Sequence, residues 1–283
     1  MKIITTVVNT SFIELQLNSF KKFFKHDFNF IVFNDSKNFP DSTNNFQLDM
    51  KNKVQILCNS LNILCINHQN DYHSDINSGS FRHASVLNEI LKYQIENPDK
   101  YLYIDNDMFL IDYFDPTKYF NYNCAIVLQE RIVNNFRYNY IWPGFCFIDF
   151  HKISNIHLLN WNLAKYCDTG GMMMNWLILE NNNNKFPSCQ DIRYNNDINK
   201  FHTNNIYFIK HLWSKTWSFD ELPTNFKSNI DFINLLNNDS RNDNNKYYIE
   251  LYDNVFLHYR GGSGWNNNLD SNFINNFKKS FDL

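Results

Sequence analysis

The first half of the chain alternates short apolar runs with segments in which apolar residues recur at helical spacing. β-Branched and aromatic residues predict strands over 2–8, 28–33 and 63–67. Helical periodicity predicts helices over 11–24, 54–61 and 81–96. Strands that alternate with helices are typical of βαβ units, so the pattern predicts an α/β protein with a mainly parallel sheet.

The second half is less regular and contains more aromatic residues. It predicts a strand over 125–129, an aromatic strand over 141–150 that is broken at Pro143-Gly144, and a helix over 172–180. Residues 181–200 are predicted to be mostly loop, and further strands are predicted over 205–210, 247–252 and 255–258. Neither an internal repeat nor a linker divides the chain, so residues 1–283 are expected to form a single domain.

Polar residues gather where the predicted strands of the first half end. Asn9-Thr10, Asn34-Asp35, Asn67-His68 and Asp105-Asn106-Asp107 each follow an apolar run. Ligands of open parallel sheets bind beyond the carboxyl ends of the strands. These residues therefore mark the expected binding edge of the sheet.

Composition narrows the class of protein. The chain has 283 residues, 43% hydrophobic residues and a net charge of -3, so it can bury a sizeable core, and it has no long basic run for nucleic acid. Six cysteines are scattered without a C-x-x-C pair, which is typical of reduced thiols. No signal peptide and no membrane-spanning run is visible. We expect a cytoplasmic protein without integral membrane association, although peripheral docking on a membrane stays open.

The most informative segment is the apolar run 101–111, which contains Asp105-Asn106-Asp107. Burying a carboxylate without a partner is unfavourable, so the pair is expected where the strand leaves the core or beside a cation. In an extended strand Asp105 and Asp107 would lie on the same side. Two such carboxylates suit Mn²⁺ or Mg²⁺ that also carries phosphate oxygens. The alternative is a turn with two solvated acids.

Basic residues near other strand and helix ends extend this hypothesis. His258 follows an apolar strand and precedes Arg260 and a glycine pair, so it is a candidate third metal ligand with Arg260 beside the phosphates. Arg82 and His83 open a predicted helix, whose N-terminus attracts anions. The alternatives are a structural histidine and an exposed first helical turn.

Candidates for binding an acceptor lie in the second half. Asp168 heads an Asp-Thr-Gly-Gly turn before a predicted helix. It is either a helix cap or a group that holds an acceptor hydroxyl, as a general base or as a binding group. Trp142 and Trp265 are either core residues or platforms for sugar rings.

The order of these motifs resembles GT-A-fold glycosyltransferases. Asp-Asn-Asp after a helix that carries residues 80–84 resembles the donor half of that fold. Residues 256–265 resemble the C-terminal metal-binding histidine segment of glycogenin-like enzymes, and residues 142–149 resemble the glycine-containing strand that follows the D-x-D motif. Asp168 is placed like the acidic residue of the acceptor site. One departure is that Ser263-Gly264-Trp265 replaces the Lys-Pro-Trp ending, so Arg260 is the candidate substitute for the missing lysine.

The resemblance implies an α/β, Rossmann-like GT-A domain, with a nucleotide-sugar-binding half over 1–112 and an acceptor-binding half with the metal-binding segment over 113–283. It implies transfer of a sugar from a UDP or GDP type donor to a glycan or other hydroxyl acceptor, with Mn²⁺ or Mg²⁺. Asp168 would be the base of an inverting reaction or would position the acceptor in a retaining one. The implied donor residues are Asn9, Thr10, Asn34, Asp35, Arg82, His83, Asp105 and Arg260; the metal ligands are Asp105, Asp107 and His258; and the acceptor residues are Trp142, Gly170, Gly171 and Trp265.

Two other functions stay open at this stage. A nucleotidyltransferase that makes activated sugars would also use carboxylates and a metal, but it normally needs a glycine-rich loop after the first strand, and residues 8–12 contain no glycine. A non-catalytic carbohydrate-binding protein of the same fold is the second alternative. Metal-dependent hydrolysis of a nucleotide-sugar would distinguish an enzyme from such a binding protein.

Overall fold

A computed structural model describes residues 1–37, 39, 49–75, 78–182, 184–194, 203, 205–261 and 267–283, with only the backbone described for 267–270. Its strands are β1 (Lys2–Val7), β2 (Asn29–Asn34), β3 (Leu64–Asn67), β4 (Lys100–Asp105), β5 (Met108–Leu110), β6 (Cys124–Val133), β7 (Phe136–Asp149), β8 (Ile206–Phe208), β9 (His211–Leu212), β10 (Glu250–Tyr252) and β11 (Phe256–His258). Its helices are α1 (Ile13–Phe23), α2 (Met50–Ser60), α3 (Gly79–Glu96), α4 (Thr117–Phe120), α5 (Met174–Glu180), α6 (Cys189–Tyr194), α7 (Ile230–Asn237) and α8 (Asn267–Phe281).

The central sheet has seven strands in the order β3-β2-β1-β4-β7-β6-β8. The pairs β3–β2, β2–β1, β1–β4 and β6–β8 are parallel. β7 runs antiparallel to both of its neighbours, β4 and β6. The predicted α/β class with a mainly parallel sheet is therefore confirmed.

The predicted helices of the first half are present with slightly different ends. α3 begins after Ser78, whose Oγ accepts a hydrogen bond from the Phe81 amide at 3.4 Å. α4, α6, α7 and α8 were not predicted. α6 lies within 181–200, and α7 and α8 lie in asparagine-rich sequence that weakens the apolar pattern.

A second sheet of four antiparallel strands, in the order β5-β11-β10-β9, begins directly after β4. The aspartates lie where the strand leaves the core, as expected, but the strand does not stay extended through both of them. β4 ends at Asp105, Asn106 and Asp107 form a turn, and β5 starts at Met108. The apolar residues before and after the aspartates belong to two different sheets, so the chain is apolar on both sides of a polar turn.

The aromatic strand β7 continues through Pro143 and Gly144, but its pairing with both neighbouring strands is interrupted there, where the sequence predicted a break. The β6–β7 register shifts between Ile126 and Leu128, opposite this point, and the β4–β7 pairing reaches only Phe145. At such an irregularity the ladder does not need the amide hydrogen that proline lacks.

The central sheet carries a hydrophobic core on each face. Ile3 and Ile4, neighbours on β1, are both fully buried but belong to different core layers. One layer includes side chains of α1, α8 and the second sheet, and the other includes side chains of α3 and α5. Within the described part of the chain, no helix has both the length and the apolar character needed to cross a bilayer.

Candidate functional site

Three potential metal ligands meet where the two sheets join. Asp105 ends β4, Asp107 lies in the turn and His258 ends β11, and their ligand atoms all lie within 4.8 Å of one another. His258 Nε2 is 3.2 Å from Asp107 Oδ1. This convergence follows from the pairing of β5 with β11, in which Met108 lies opposite His258. Residues separated by about 150 positions in sequence thereby share one site.

Three hydrogen bonds to backbone carbonyl oxygens hold the turn in this position. Gln16 on α1 donates its side-chain amide to the carbonyl oxygens of Asp105 and Met108, both at 2.7 Å. The Tyr259 amide donates to the carbonyl oxygen of Asp107 at 2.8 Å. The backbone on both sides of the aspartates is therefore fixed by α1 and by the end of β11, which leaves the carboxylates to face outward.

Glu250 is a candidate functional residue that the sequence analysis missed. It lies opposite His258 in the β10–β11 pair, and its Oε2 accepts a hydrogen bond from His258 Nδ1 at 2.7 Å. Tyr252 also donates to Oε2, at 2.7 Å, and the Ser214 amide donates to Oε1 at 3.1 Å. With Nδ1 bound to Glu250, the other nitrogen of His258 faces Asp107. The sequence did contain a signal for Glu250, because it is a charged residue within the apolar run 249–252. The aspartate pair was recognised by the same kind of signal.

The electrostatics of this cluster favour a cation. Burial lowers the pKa of His258, but the carboxylates of Asp107 and Glu250 outweigh it and raise the pKa to about 10. Burial raises the pKa of Asp105, and the negative charge of Asp107 raises it further, against the opposing effects of His83 and His258. Burial also opposes ionisation of Glu250, yet hydrogen bonding to His258 lowers its pKa overall. The cluster therefore places three carboxyl groups around one imidazole in a buried setting.

The donor set fits a divalent metal. Two carboxylates and one imidazole suit Mn²⁺, whereas Mg²⁺ prefers oxygen ligands throughout. A carboxylate that binds the remote nitrogen of a ligating histidine fixes its tautomer and ring orientation, and Glu250 is placed to do this for His258. Asp105, Asp107 and His258 are therefore the residues that would hold the ion.

The cluster opens into a cleft of about 580 Å³. Four basic side chains line it: Lys37, Arg82, His83 and Arg260. His83, in the first turns of α3, lies 3.3 Å from the Tyr103 hydroxyl, which in turn lies 3.5 Å from Asp105 Oδ1. Cationic side chains thus share the cleft with the metal-ligating cluster, an arrangement suited to a polyanion that also coordinates a metal.

Aromatic rings form another part of the cleft lining. Trp142 stacks on Tyr252 with ring centroids 4.9 Å apart and planes inclined by 2°, and Trp213 packs edge-on against Trp142 at 5.7 Å. Gly144 makes this packing possible, because a Cβ there would lie 2.3 Å from the Trp142 ring and 2.5 Å from Asp105 Oδ2. The half-buried tryptophans offer flat apolar surfaces beside the polar cluster.

Several of the predicted site residues come together. Asp35, Arg82, His83, Asp105, Asp107, Trp142, His258 and Arg260 all line the cleft. Asn9, Thr10 and Asn34 do not line the cleft. Near the end of β1 the lining residues are Thr6 and Val8. Asn34 is fully buried, and its amide donates to Lys51 O at 2.9 Å and to Asn67 Oδ1 at 2.8 Å. Its side chain thus links the end of β2 to the end of β3 and to α2 by hydrogen bonds.

The predicted acceptor turn lies outside the cleft lining. Asp168 is exposed, and its Oδ1 accepts a hydrogen bond from the Thr169 amide at 2.8 Å. Gly170 has a φ of +87°, and a Cβ there would lie 2.5 Å from the carbonyl oxygen of Ile141. Gly171 is packed equally tightly against Ala164. Both glycines meet steric demands of the fold, while Trp265 lies outside the described residues.

Comparison with known proteins gives a distant structural likeness. No protein-family model matches the chain, and no curated protein is significantly similar to it. The chain is similar to the crystal structure of galactosyltransferase LgtC in complex with donor and acceptor sugar analogues, with 13% identity, a TM-score of 0.40, and coverage of 97% of this chain and 95% of that one. An active-site mutant of LgtC gives 14% identity and a TM-score of 0.40 over 74% of this chain and 87% of that one.

At this identity and TM-score the likeness to LgtC assigns neither a family nor an activity to the chain.

Proposed function

We propose that the protein is a metal-dependent glycosyltransferase of GT-A type, which moves a sugar from a nucleotide-diphosphate sugar to a hydroxyl acceptor. One observation carries the proposal: Asp105, Asp107 and His258 converge within 4.8 Å in a cleft that basic and aromatic side chains also line. A nucleotide-diphosphate sugar offers phosphate oxygens to a metal, negative charge to cations and a ring face to an aromatic side chain. The cleft has a complementary group for each.

In this proposal the bound ion, Mn²⁺ rather than Mg²⁺, would neutralise charge on the leaving diphosphate as the glycosidic bond breaks. Asp105, Asp107 and His258 hold the ion, and Glu250 keeps the His258 ring oriented. Arg82, near the start of α3, adds positive charge next to the diphosphate, as a helix N-terminus also does. The chain thus contributes charge and position, which are the main demands of the reaction.

The donor is oriented by the walls of the cleft. Arg260 lines the cleft and would bind the phosphates, and the predicted donor role of Asp35, which also lines the cleft, stays a prediction. Trp142 and Trp213 present ring faces to the transferred or accepting sugar. Asp168 is not among the lining residues, so we give it no role in the donor site, and its predicted role towards the acceptor stays a prediction.

The proposal includes three further expectations. The donor is of UDP or GDP type with a hexosyl or related sugar, and the acceptor is a glycan or another hydroxyl compound. The chain acts as a single domain in which the second half supplies Trp142, Glu250 and His258 to the site. The six free thiols suit a reducing compartment, which supports a cytoplasmic location.

A thermal-shift screen of UDP-, GDP- and TDP-sugars, each with and without Mn²⁺, tests the proposal. Stabilisation that requires both a nucleotide-sugar and the metal would support it, because ligands that bind the native state raise its apparent stability. Asp107→Asn should abolish the metal-dependent part of the shift while the protein stays folded. A well-folded sample that responds to no donor would contradict the proposal.

A further inference from the structure

A second group of metal-ligating side chains lies beside the donor cleft. Asp35, His68 and His73 each offer a ligand atom, and these atoms lie within 4.8 Å of one another. His73 Nδ1 is 3.9 Å from Asp35 Oδ1, and the two imidazole rings have centroids 5.5 Å apart. All three residues are buried, with exposed fractions of 6%, 4% and 0%.

The two histidines have no hydrogen-bond partner for either ring nitrogen among the described residues. Each buried polar group left without a partner destabilises the folded protein, and four such nitrogens lie together here. Burial lowers the pKa of both histidines, most strongly for His73, so the rings are neutral and keep a lone pair. A cation shared by the rings and the carboxylate would satisfy one nitrogen of each ring.

Asp35 is held for such a role by its neighbours. Asn70 donates its side-chain amide to Asp35 Oδ1 at 2.8 Å, to Asp35 O at 2.9 Å and to Ser36 O at 3.2 Å. Lys51 donates to His68 O at 2.9 Å and to Asn70 Oδ1 at 3.1 Å. Asn70 and Lys51 thus orient the carboxylate and one histidine segment from outside, as partners of metal ligands usually do.

We propose that Asp35, His68 and His73 form a zinc site distinct from the Asp105, Asp107 and His258 cluster. Two neutral imidazoles and one carboxylate are a common three-residue set for Zn²⁺, which leaves a fourth position for water. The other cluster contains two carboxylates and one imidazole and is therefore the better site for Mn²⁺. The two groups differ in ligand chemistry, but Zn²⁺ generally binds nitrogen and oxygen sites more tightly than Mn²⁺, so a variant of each group is needed to tell the two sites apart.

The position of the zinc site gives it a structural consequence. It would join the end of β2 at Asp35 to His68 after β3 and to His73 in the 3₁₀ turn Asp71–Asp75. Tyr72 of that turn hydrogen-bonds Ser85 on α3, the helix that also carries Arg82 and His83. Zinc would therefore fix the wall of the cleft from which these basic residues project, without contacting the proposed catalytic metal.

Zinc content separates this inference from the proposed function. The full-length wild type, His73→Leu and Asp107→Asn would be stripped with chelator, titrated with Zn²⁺ against a fluorescent competitor, and analysed by mass spectrometry for bound metal. We expect one zinc per chain in the wild type and in Asp107→Asn, and at least a 100-fold loss of affinity in His73→Leu. His211→Leu, a replacement of another buried histidine, is the matched control and should retain zinc.

The stability of His73→Leu gives a second readout, because loss of this buried histidine is not expected to destabilise the metal-free protein. In EDTA, His73→Leu should be at least as stable as the wild type, because it removes two nitrogens without hydrogen-bond partners. With Zn²⁺, only the wild type should gain stability. Equal zinc binding in the wild type and His73→Leu, or loss of zinc in Asp107→Asn alone, would overturn the inference. If His73→Leu does not fold, the zinc absorption-edge spectrum of the wild type decides, since a spectrum without two imidazole ligands refutes the site.

Discussion

Replacement of Glu250 by glutamine tests how the metal ligand His258 is positioned. Glu250 is 1% exposed, and its Oε2 is 2.7 Å from His258 Nδ1. Glutamine has the same shape and can still accept this hydrogen bond, but it lacks the negative charge. The change therefore removes the charge assistance to the imidazole at constant side-chain shape. If the remaining oxygen stays on His258 and Tyr252, the hydrogen bond from the Ser214 amide is lost as well, because the glutamine NH2 cannot accept it.

The expected magnitude follows from the role of such partners. Replacing a residue that orients a metal-ligating histidine weakens metal affinity by about 10–100-fold. This corresponds to about 1.4–2.8 kcal/mol of binding free energy. Asp105 and Asp107 remain in place, so binding should weaken without being abolished. A similar fold-change should appear in the metal concentration needed to stabilise the protein together with a nucleotide-sugar.

Electron paramagnetic resonance of free Mn²⁺ during titration measures the affinity directly. Glu180→Gln is the matched control, because Glu180 is also buried, at 2% exposure, and is bonded to Asn123 outside the cleft. It should bind Mn²⁺ like the wild type. If Glu250→Gln also binds Mn²⁺ within about twofold of the wild type, the argument that Glu250 positions a metal ligand is refuted.

Three other substitutions examine separate parts of the account. Gly144→Ala should disturb the Trp142 stack and the Asp105 carboxylate, since its Cβ would lie 2.3 Å and 2.5 Å from them, and both tryptophan fluorescence and Mn²⁺ affinity should change. Gly170→Ala should destabilise the fold by about 1–3 kcal/mol through its backbone conformation, measured by urea unfolding, with Mn²⁺ affinity unchanged. Burial lowers the pKa of His211 from 6.5 to about 4 in the folded protein. As the pH falls, the imidazole is therefore protonated in the unfolded state before it is protonated in the folded state, and the stability of the fold decreases between pH 6.5 and pH 4. His211→Leu should therefore lose about 2 kcal/mol less stability than the wild type between pH 7 and pH 5 in EDTA.

Each of these three predictions has a result that would contradict it. Normal Mn²⁺ binding by a folded Gly144→Ala protein would mean that the strand can yield without moving Asp105. A Gly170→Ala protein that is fully stable but binds nucleotide-sugars poorly would assign that glycine to ligand binding. Identical pH profiles for the wild type and His211→Leu would show that His211 does not stay neutral in the folded protein.

Much of the sheet was predictable because apolar strands and amphipathic helices alternate in the first half. β1, β2 and β4 are inner, well-covered strands with continuous apolar runs, and that pattern is local. The second sheet was harder to predict, because β9 has two residues and β5 and β11 have three each. Such short strands are defined by their partners and leave little periodicity in the sequence.

The metal cluster was partly predictable for the same reason. Asp105, Asp107 and His258 stand out as polar residues next to apolar runs, and the fold brings them together. The sequence did not indicate that Glu250 contacts His258, because this contact depends on the register of two short strands. The zinc ligands were not predicted either, since His68 and His73 follow an ordinary strand and meet Asp35 only through the parallel order of β2 and β3.

The acceptor side shows where a sequence pattern misleads. Asp-Thr-Gly-Gly suggested a binding turn, but Gly170 and Gly171 are explained by a left-handed backbone and by close packing on Ile141 and Ala164. A glycine pair reports a steric demand, and the sequence does not say whether a ligand or the protein itself imposes it. Trp142, another of the predicted acceptor residues, does line the cleft.

Release of nucleoside diphosphate from a nucleotide-sugar is the most direct test of the central claim. Wild-type protein would be incubated with UDP- and GDP-sugars in Mn²⁺ or in EDTA, beside Asp107→Asn. We predict release by the wild type with at least one donor in Mn²⁺, none in EDTA, and none by Asp107→Asn. Release that persists in EDTA, or no release from any donor by protein that binds Mn²⁺, would contradict the claim.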